Sequence, residues 1–502
     1  MNGAELLLGG HDPERIALEC LVTHDGDSAT SAVDAVSADG IERVRYGELC
    51  QRVGRAGAAW LALGLRPGEP VAVKLTDGID WVVAWLGVLW AGGVAVGVNP
   101  RIPAAEWQAT LQEAGFAFIV AEDDDDTPAP WRDRVVPLAA ARRAWADAAP
   151  CDPVQRSASA PALWVHSSGT SGRPKAVVHA QCSLVQIALV TTQRLGVGPE
   201  DRLLASSRLF FTYPLVNVLL AGLRLGATVL IDPAWPSAAS FADAVRRLRP
   251  SVLYSVPSLY RQLLHEGHAE PLREAGIRLC VSAGESLSPR LREAWRQATD
   301  LPMFDGYGTS ETLVLVLGAA PGDGALRPSP GVQVQPLDGQ AAAAGQPTRL
   351  LVRSATLALG YHDRPAAEAE SFRAGAFCPA DLFVREFDGS WRFAGREDSL
   401  VKLRGRWVDL VQLEERLAID LPGLREAAAT LVPDADGVDA CAFFYVADDP
   451  DAVRRRLEER IAALRPHERP TWLQPLPELP RTATGKLLRR QLANHLPTRS
   501  CA

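Results

Sequence analysis

Paired cysteines, an excess of basic residues and an internal repeat are all missing from this 502-residue chain. No two of its eight cysteines (Cys20, Cys50, Cys151, Cys182, Cys280, Cys378, Cys441 and Cys501) stand at a C-x-x-C or zinc-ribbon spacing, which excludes a disulfide or zinc framework. They read as single buried thiols of a reducing compartment. Lys and Arg number 52 against 60 Asp and Glu, a net charge of −8, so no basic field favours a nucleic-acid backbone. The 41 glycines and 37 prolines follow no triplet period, which excludes collagen, and 47% hydrophobic residues exclude a mainly disordered chain. MNGAELLLGGHDPER lacks the basic start and apolar stretch of a signal peptide, so a cytoplasmic location is expected.

Long apolar runs are equally scarce. Trp81 to Val98 is uncharged over 18 residues, barely transmembrane length. The Gly92-Gly93 pair divides it, and the expectation is a buried helix over about 80–91, a glycine turn and a short strand from Val94 to Val98, with no membrane association.

What the chain does have is alternation. Thr228–Ile231, a helix from a Pro-Ser start through Arg249, Val252–Val256, a helix from Pro257, and Ile277–Ser282 follow at βα spacing. Mostly parallel sheets with helices on both faces are therefore expected. The acidic run Glu122–Asp126 reads as a solvated loop, and the Ala-rich stretch Asp338–Thr348 as a surface turn or connector. At about 150 residues per domain the length suggests about three units. Near 395–399 the chain becomes richer in Arg and Glu, leaving about a hundred residues for a small separate domain with a helix over about 452–464.

Leu163–His179, LWVHSSGTSGRPKAVVH, is the most informative segment. An apolar strand enters Ser167-Ser168-Gly169-Thr170-Ser171-Gly172-Arg173-Pro174-Lys175 and a second β-rich run leaves it. Glycines permit positive φ and bring N–H groups close to an anion, while hydroxyls and a lysine add donors. By composition this is either a phosphate loop or a polar surface loop. The Walker pattern G-x-x-x-x-G-K-[ST] is not matched.

Together with DGYGTSE (Asp305–Glu311), GREDSLVKLRG (Gly395–Gly405) and PRTATGK (Pro480–Lys486), in that order, the segment resembles the AMP-forming acyl- and aryl-CoA synthetase superfamily over about residues 40–492. The resemblance implies an α/β fold of the acyl-CoA synthetase type. A large N-terminal domain, 1–397, would combine mostly parallel sheets flanked by helices with a small β-subdomain, and a small mobile α+β domain would occupy 398–502. It implies adenylation of a carboxylic acid by ATP with Mg²⁺, followed by transfer to a thiol. Ser168, Gly169, Thr170, Ser171, Gly172 and Lys175 would hold the β- and γ-phosphates. Gly284 and Glu285 would edge the adenine, Tyr307 would stack on it within Asp305-Gly306-Tyr307-Gly308, and Asp305 would accept its amino group. Ser310 would touch the α-phosphate, Glu311 would hold Mg²⁺, and Asp381 and Arg396 would bind the ribose. Lys486 would neutralise the reacting oxygens, Asp398 would be the hinge, and Gly405 would line the thiol tunnel.

Leu209–Asn217, LFFTYPLVN, resembles the pocket segment of benzoate- and anthranilate-CoA ligases, with Phe211, Thr212 and Tyr213 facing a flat aryl acid; Val314 would give an apolar pocket floor. A hydroxyl of Thr212 would reach a ring substituent and that of Tyr213 would orient the acid. Without the resemblance, FFTY reads as a buried β segment. Three departures stand out: Ala176 for the Gly after the loop lysine, Pro379-Ala380-Asp381 for Thr-Gly-Asp, and Asp409-Leu410-Val411-Gln412 for Ser-Pro-x-Glu. The last puts the thiol acceptor in doubt between CoA and the phosphopantetheine arm of a carrier protein. A catalytically silent nucleotide-binding relative is the reading from another class, and retention of Lys486 and Glu311 weighs against it. A monomer or homodimer is expected.

Overall fold

The computed structural model describes residues 1–22, 39–123, 125–168, 174–337, 346–396, 400–403, 406–419, 421–433, 439–481 and 487–496. Two compact units emerge, Met1–Gln335 with Leu351–Cys378, and Pro336–Leu350 with Pro379–Ala502.

In chain order the first unit contains β1 (Ile16–Leu21), β2 (Ile41–Arg45), β3 (Pro70–Lys74), β4 (Val94–Gly97), β5 (Phe118–Ala121), β6 (Val135–Pro137), β7 (Pro161–Ser168) and β8 (Pro174–Ala180). Then follow β9 (Arg202–Ala205), β10 (Thr228–Ile231), β11 (Val252–Ser255), β12 (Leu279–Ser282), β13 (Met303–Tyr307), β14 (Leu317–Ala319) and β15 (Arg327–Pro328). One sheet runs β15-β14-β13-β12-β11-β9-β10-β1-β2; a second runs from the short strand Gly360–Tyr361 through β8-β7-β4-β3-β5-β6. From β13 to β1, and from β7 to β6, every neighbouring pair is parallel, and antiparallel pairs stand only towards the edges. This is the pattern expected of strands whose side chains are buried on both faces: VAVG of β4 and VLYS of β11 are buried throughout.

The uncharged run 81–98 becomes the buried helix Ile79–Trp90, the turn at Gly92 and β4. Trp81 and Trp85 stack one turn apart, with ring centroids at 6.1 Å. A helix apolar on every side must be covered on every side, and eleven of its twelve residues are buried. Gly92 turns the chain at φ +76°, a conformation that costs a side-chain-bearing residue about 1 kcal/mol or more. Among the described residues no helix is long and apolar enough to cross a membrane.

The helix Ala238–Leu248 starts as its sequence suggests. Ser237 accepts from the Ser240 N–H while the Ser240 hydroxyl accepts from the Ser237 N–H, so two otherwise unpaired donors are satisfied reciprocally. Its apolar face, including Phe241, Val245 and Leu248, packs with Leu204, Leu253 and Cys280 of the parallel sheet.

The acidic run departs from the expected solvated loop. Residue 124 lies outside the described residues, but the Asp125 side chain is only 5% exposed and pairs with the equally buried Lys74 ammonium, which also reaches Asp126 at 3.0 Å. Lys74 ends β3, and its buried charge, set 5.6 Å from the Trp107 ring centroid, needs a counter-ion, which this loop supplies. Pro347 and Thr348, expected in the Ala-rich connector, begin the strand Pro347–Arg353; residues 338–345 lie outside the described residues.

In the second unit the hairpin Asp381–Arg385 and Trp391–Arg396 pairs with residues Pro347 to Arg349. Leu424–Pro433, Asp439–Ala447 and Trp472–Pro475 form a separate sheet with the helices Leu410–Ala418 and Pro450–Ala463. Alternation divides its core: Phe443 and Tyr445 join one cluster, Phe444 and Val446 the other. A boundary at 397/398 falls within this unit, and the proposed hinge Asp398 lies outside the described residues.

Candidate active site

In open α/β sheets, ligand groups gather beyond the carboxyl ends of parallel strands. β9, β12 and β13 deliver LFFTY, Ala283-Gly284-Glu285 and Asp305–Glu311 to that edge of one sheet.

Asp305 is on β13, with Arg292 Nη2 donating to Oδ2 at 3.1 Å. Burial raises its carboxyl to about 6 and the guanidinium opposes that rise. Gly306 and Tyr307 complete the strand, Tyr307 half-buried opposite Leu317. Gly308 allows a close approach, since a Cβ there would lie 2.6 Å from the Val314 carbonyl oxygen. Gly284 has φ +86°. The Glu285 carboxylate turns away to the helix Pro257–His265, accepting from the Ser258 N–H and hydroxyl at 2.9 and 3.0 Å. That satisfies a free donor at the positive helix end.

Three groups that residue patterns did not single out fix Ser310 and Glu311. His179, on β8, donates from Nε2 to the Ser310 carbonyl at 2.8 Å; burial lowers its ring to about 4, so it is neutral near pH 7 and Nε2 carries the proton. The Tyr361 hydroxyl donates to Glu311 Oε1 at 2.8 Å, and Lys175 Nζ lies 4.8 Å from the Tyr361 ring centroid. Thr312 is bonded through Oγ1 to Thr309 N–H at 3.0 Å, and its carbonyl accepts from Thr356 at 2.7 Å. Leu313 next to it has φ +65°, rare for a side chain of this size and held by this bonding. His179 stood inside the quoted loop segment, yet nothing in a single sequence marks a histidine facing a carbonyl 131 residues away.

LFFTY is not a β segment. Thr212–Pro214 open a helix that continues through Leu215–Leu220 and Ala221–Leu225, because Pro214 fits a first helical turn and residues Leu215 to Leu223 are all buried. Its entry is anchored by Asp77, whose Oδ2 accepts the Leu209 N–H at 2.9 Å and faces Arg208 at 3.7 Å. Phe210 and Phe211 lie ring to ring at 4.3 Å. The Tyr213 hydroxyl donates to the Val281 carbonyl at 3.0 Å, which fixes the ring. Thr212 Oγ1 bonds Ser310 Oγ at 2.9 Å, so its first partner is the motif serine and not a ring substituent. Val314 is buried.

In the second unit Asp381 and Arg396 face each other on adjacent strands, Nε to Oδ1 at 3.8 Å. Asp409 caps the helix Leu410–Ala418, accepting from the Val411 and Gln412 N–H groups at 2.9 and 3.3 Å. The departure at 409–412 thus supplies a helix start in place of Ser-Pro. Ala176 pairs with His166 across β7 and β8 in extended backbone, where a side chain fits. Ser168 closes β7; Gly169, Thr170, Ser171, Gly172, Gly405 and Lys486 lie outside the described residues.

The carboxyl ends of β12 and β13 thus carry the Gly284 turn, the buried Asp305 carboxylate and the Ser310–Glu311 turn, an arrangement that fits a nucleotide-binding α/β enzyme. Residues 24–362 match the family described as AMP-binding enzyme, and the chain belongs to it. It is 32% identical over 487 residues to a 3-hydroxybenzoate-CoA/4-hydroxybenzoate-CoA ligase of Thauera aromatica, covering 90% of this chain and 92% of the relative. A 3-hydroxybenzoate-CoA ligase of Aromatoleum sp. (strain CIB) is 33% identical with the same coverage. Among solved structures, an anthranilate-CoA ligase in complex with anthranoyl-AMP superimposes with a TM-score of 0.86 at 25% identity, covering 98% of this chain and 97% of the other.

Proposed function

We propose that the protein is an AMP-forming aryl-CoA ligase, activating a benzoate-, hydroxybenzoate- or anthranilate-type acid with ATP and passing it to CoA. The observation that carries this reading is the 2.9 Å contact between Thr212 of the aromatic segment and Ser310 of DGYGTSE, which brings the wall for the acid against the group for the α-phosphate. Relatives spanning 90% of the chain support CoA over a carrier protein as acceptor.

A carboxylate oxygen attacks the α-phosphorus and pyrophosphate leaves; the CoA sulfur then attacks the acyl carbon of aryl-AMP, and AMP leaves as the thiol gives up its proton. Alignment of two anions and neutralisation of their charge make up most of the protein's share. Asp305 accepts the adenine amino group, Tyr307 stacks on the base, Ser310 donates to the α-phosphate, and Asp381 and Arg396 hold the ribose. Thr170, Ser171, Gly172 and Lys175 hold the outgoing phosphates.

Glu311 fits Mg²⁺. It is a hard oxygen donor, 8% exposed, oriented by Tyr361 through Oε1. A single carboxylate suits an ion that draws most of its ligands from phosphates and water. Mg²⁺ would screen the phosphate charge there. Lys486 neutralises the carboxylate and bridging oxygens, with Asp398 as the hinge of a mobile 398–502 domain and Gly405 in the thiol tunnel. The described cysteines are unpaired, and burial raises Cys280 and Cys441 to about 12, which supports the acceptor's thiol as the reacting one and agrees with a cytoplasmic location.

Pyrophosphate release over benzoate, the hydroxybenzoates, anthranilate, cinnamates and medium-chain acids, repeated with CoA and product mass, tests the reading. Aryl-CoA is expected; absence of turnover on every aryl acid overturns it.

A further inference from the structure

The Thr212–Ser310 contact has a proton economy that bears on catalysis. Ser310 has one hydroxyl proton. Its main chain is already held by His179 on the carbonyl, so the freedom left to it is side-chain rotation. Thr212 is a rigid partner: it is β-branched, half-buried, and begins the helical segment whose entry Asp77 and Arg208 anchor. Across the 2.9 Å between the two hydroxyls, one donates and the other accepts. If Ser310 donates to Thr212, its proton is consumed. If Thr212 donates, the Ser310 proton is free, and an anionic phosphate oxygen is the stronger acceptor and selects this second arrangement.

We propose that Thr212 is a positioning residue for adenylation, its hydroxyl donating to Ser310 Oγ so that the Ser310 proton points at an α-phosphate oxygen. The inference rests on the nucleotide site proposed above and deepens it: the hydroxyl of Thr212 serves the phosphate and not the choice of ring substituent. Two hydroxyls in series polarise one another, so the terminal donor is stronger than an isolated serine. The threonine methyl and backbone are left to shape the acid pocket.

The test uses Thr212→Val, which keeps the shape and removes the hydroxyl, Thr212→Ser, which restores it, Ser310→Ala, and the Thr212→Val/Ser310→Ala double variant. AMP affinity by calorimetry on the full chain is the first readout, because it is independent of which acid is activated. Thr212→Val is expected to weaken AMP by about three- to tenfold, Thr212→Ser to recover it, and Thr212→Val to have no further effect once Ser310 is Ala. Single-turnover aryl-AMP formation gives the second: the saturating rate falls by a similar factor, while the acid KM and the rate ratio between benzoate and 3-hydroxybenzoate stay within about twofold.

Additive losses in the double variant overturn the inference, as does a Thr212→Val protein with unchanged AMP affinity or with an altered acid ratio at an unchanged first-step rate. A wild-type protein that binds AMP but turns over no aryl acid refutes the proposed substrate class and leaves the AMP cycle to decide the role of Thr212. A wild-type protein that does not bind AMP refutes both.

Discussion

Lowering the pH from 7 to 5 should weaken nucleotide binding through one carboxyl, that of Asp305. Its side chain is 17% exposed and its pKa is raised from 3.8 to about 6, first by burial, against the opposing pull of Arg292. A raised carboxyl means that the folded protein disfavours the charged form. The cost is absent below pH 3.8, grows between there and about 6, and is complete above, where it amounts to about 3 kcal/mol. The charged form accepts a hydrogen bond from Arg292, and in the proposed role it accepts a second from the adenine amino group. At pH 7 about nine-tenths of the protein carries it and at pH 5 about one-tenth, so affinity should drop by about an order of magnitude over that range. The phosphate of AMP itself titrates near pH 6, and the informative quantity is therefore the slope of the wild type minus that of Asp305→Asn, which keeps an amide oxygen as acceptor and has nothing to titrate. Calorimetric AMP titrations at half-unit intervals from pH 5 to 7.5 supply both curves. Arg292→Leu should move the wild-type midpoint upward, because the positive charge that favours ionisation is gone. Parallel curves for wild type and Asp305→Asn would refute both the assignment of Asp305 to the base and the chain of reasoning from its burial.

Lys486→Ala should reduce aryl-AMP formation at least a hundredfold, the order of magnitude for a group that neutralises developing charge, and leave thiolysis of supplied aryl-AMP near wild type. Equal loss of both half-reactions, measured separately, would refute the role. Asp398→Pro should spare pyrophosphate release and depress aryl-CoA formation, seen as aryl-AMP accumulation by mass spectrometry. In Gly308→Ala the new Cβ meets the Val314 carbonyl oxygen at 2.6 Å, and AMP affinity should fall together with stability by about 1–3 kcal/mol. Lys74→Met leaves the buried Asp125 carboxylate alone and should cost about 3–5 kcal/mol by urea unfolding, with most of it regained in Lys74→Met/Asp125→Leu.

The local features were legible from residue order alone. Val94–Gly97, Thr228–Ile231, Val252–Ser255 and Leu279–Ser282 are strands where short apolar runs stand between turn residues, and Ser237 starts a helix because its hydroxyl finds an N–H three residues on. These depend on neighbours within a few residues, and periodicity records them. The family was legible from four ordered motifs.

Pairings across long stretches of chain were decided elsewhere. Asp125 looked like a solvated acid until β3 set Lys74 beside it, and FFTY looked like a strand until the proline after it and complete burial made it helical. His179 and Tyr361 acquire roles only because β8 pairs with Gly360–Tyr361 and lies against the Ser310–Glu311 turn. The two hydroxyls that the motifs appeared to offer the acid, on Thr212 and Tyr213, are engaged by Ser310 and Val281. Residue types state which groups can donate and accept. Whether a given proton is already taken depends on what the folded chain brings within 3 Å of it, as the Thr212 and Tyr213 hydroxyls show.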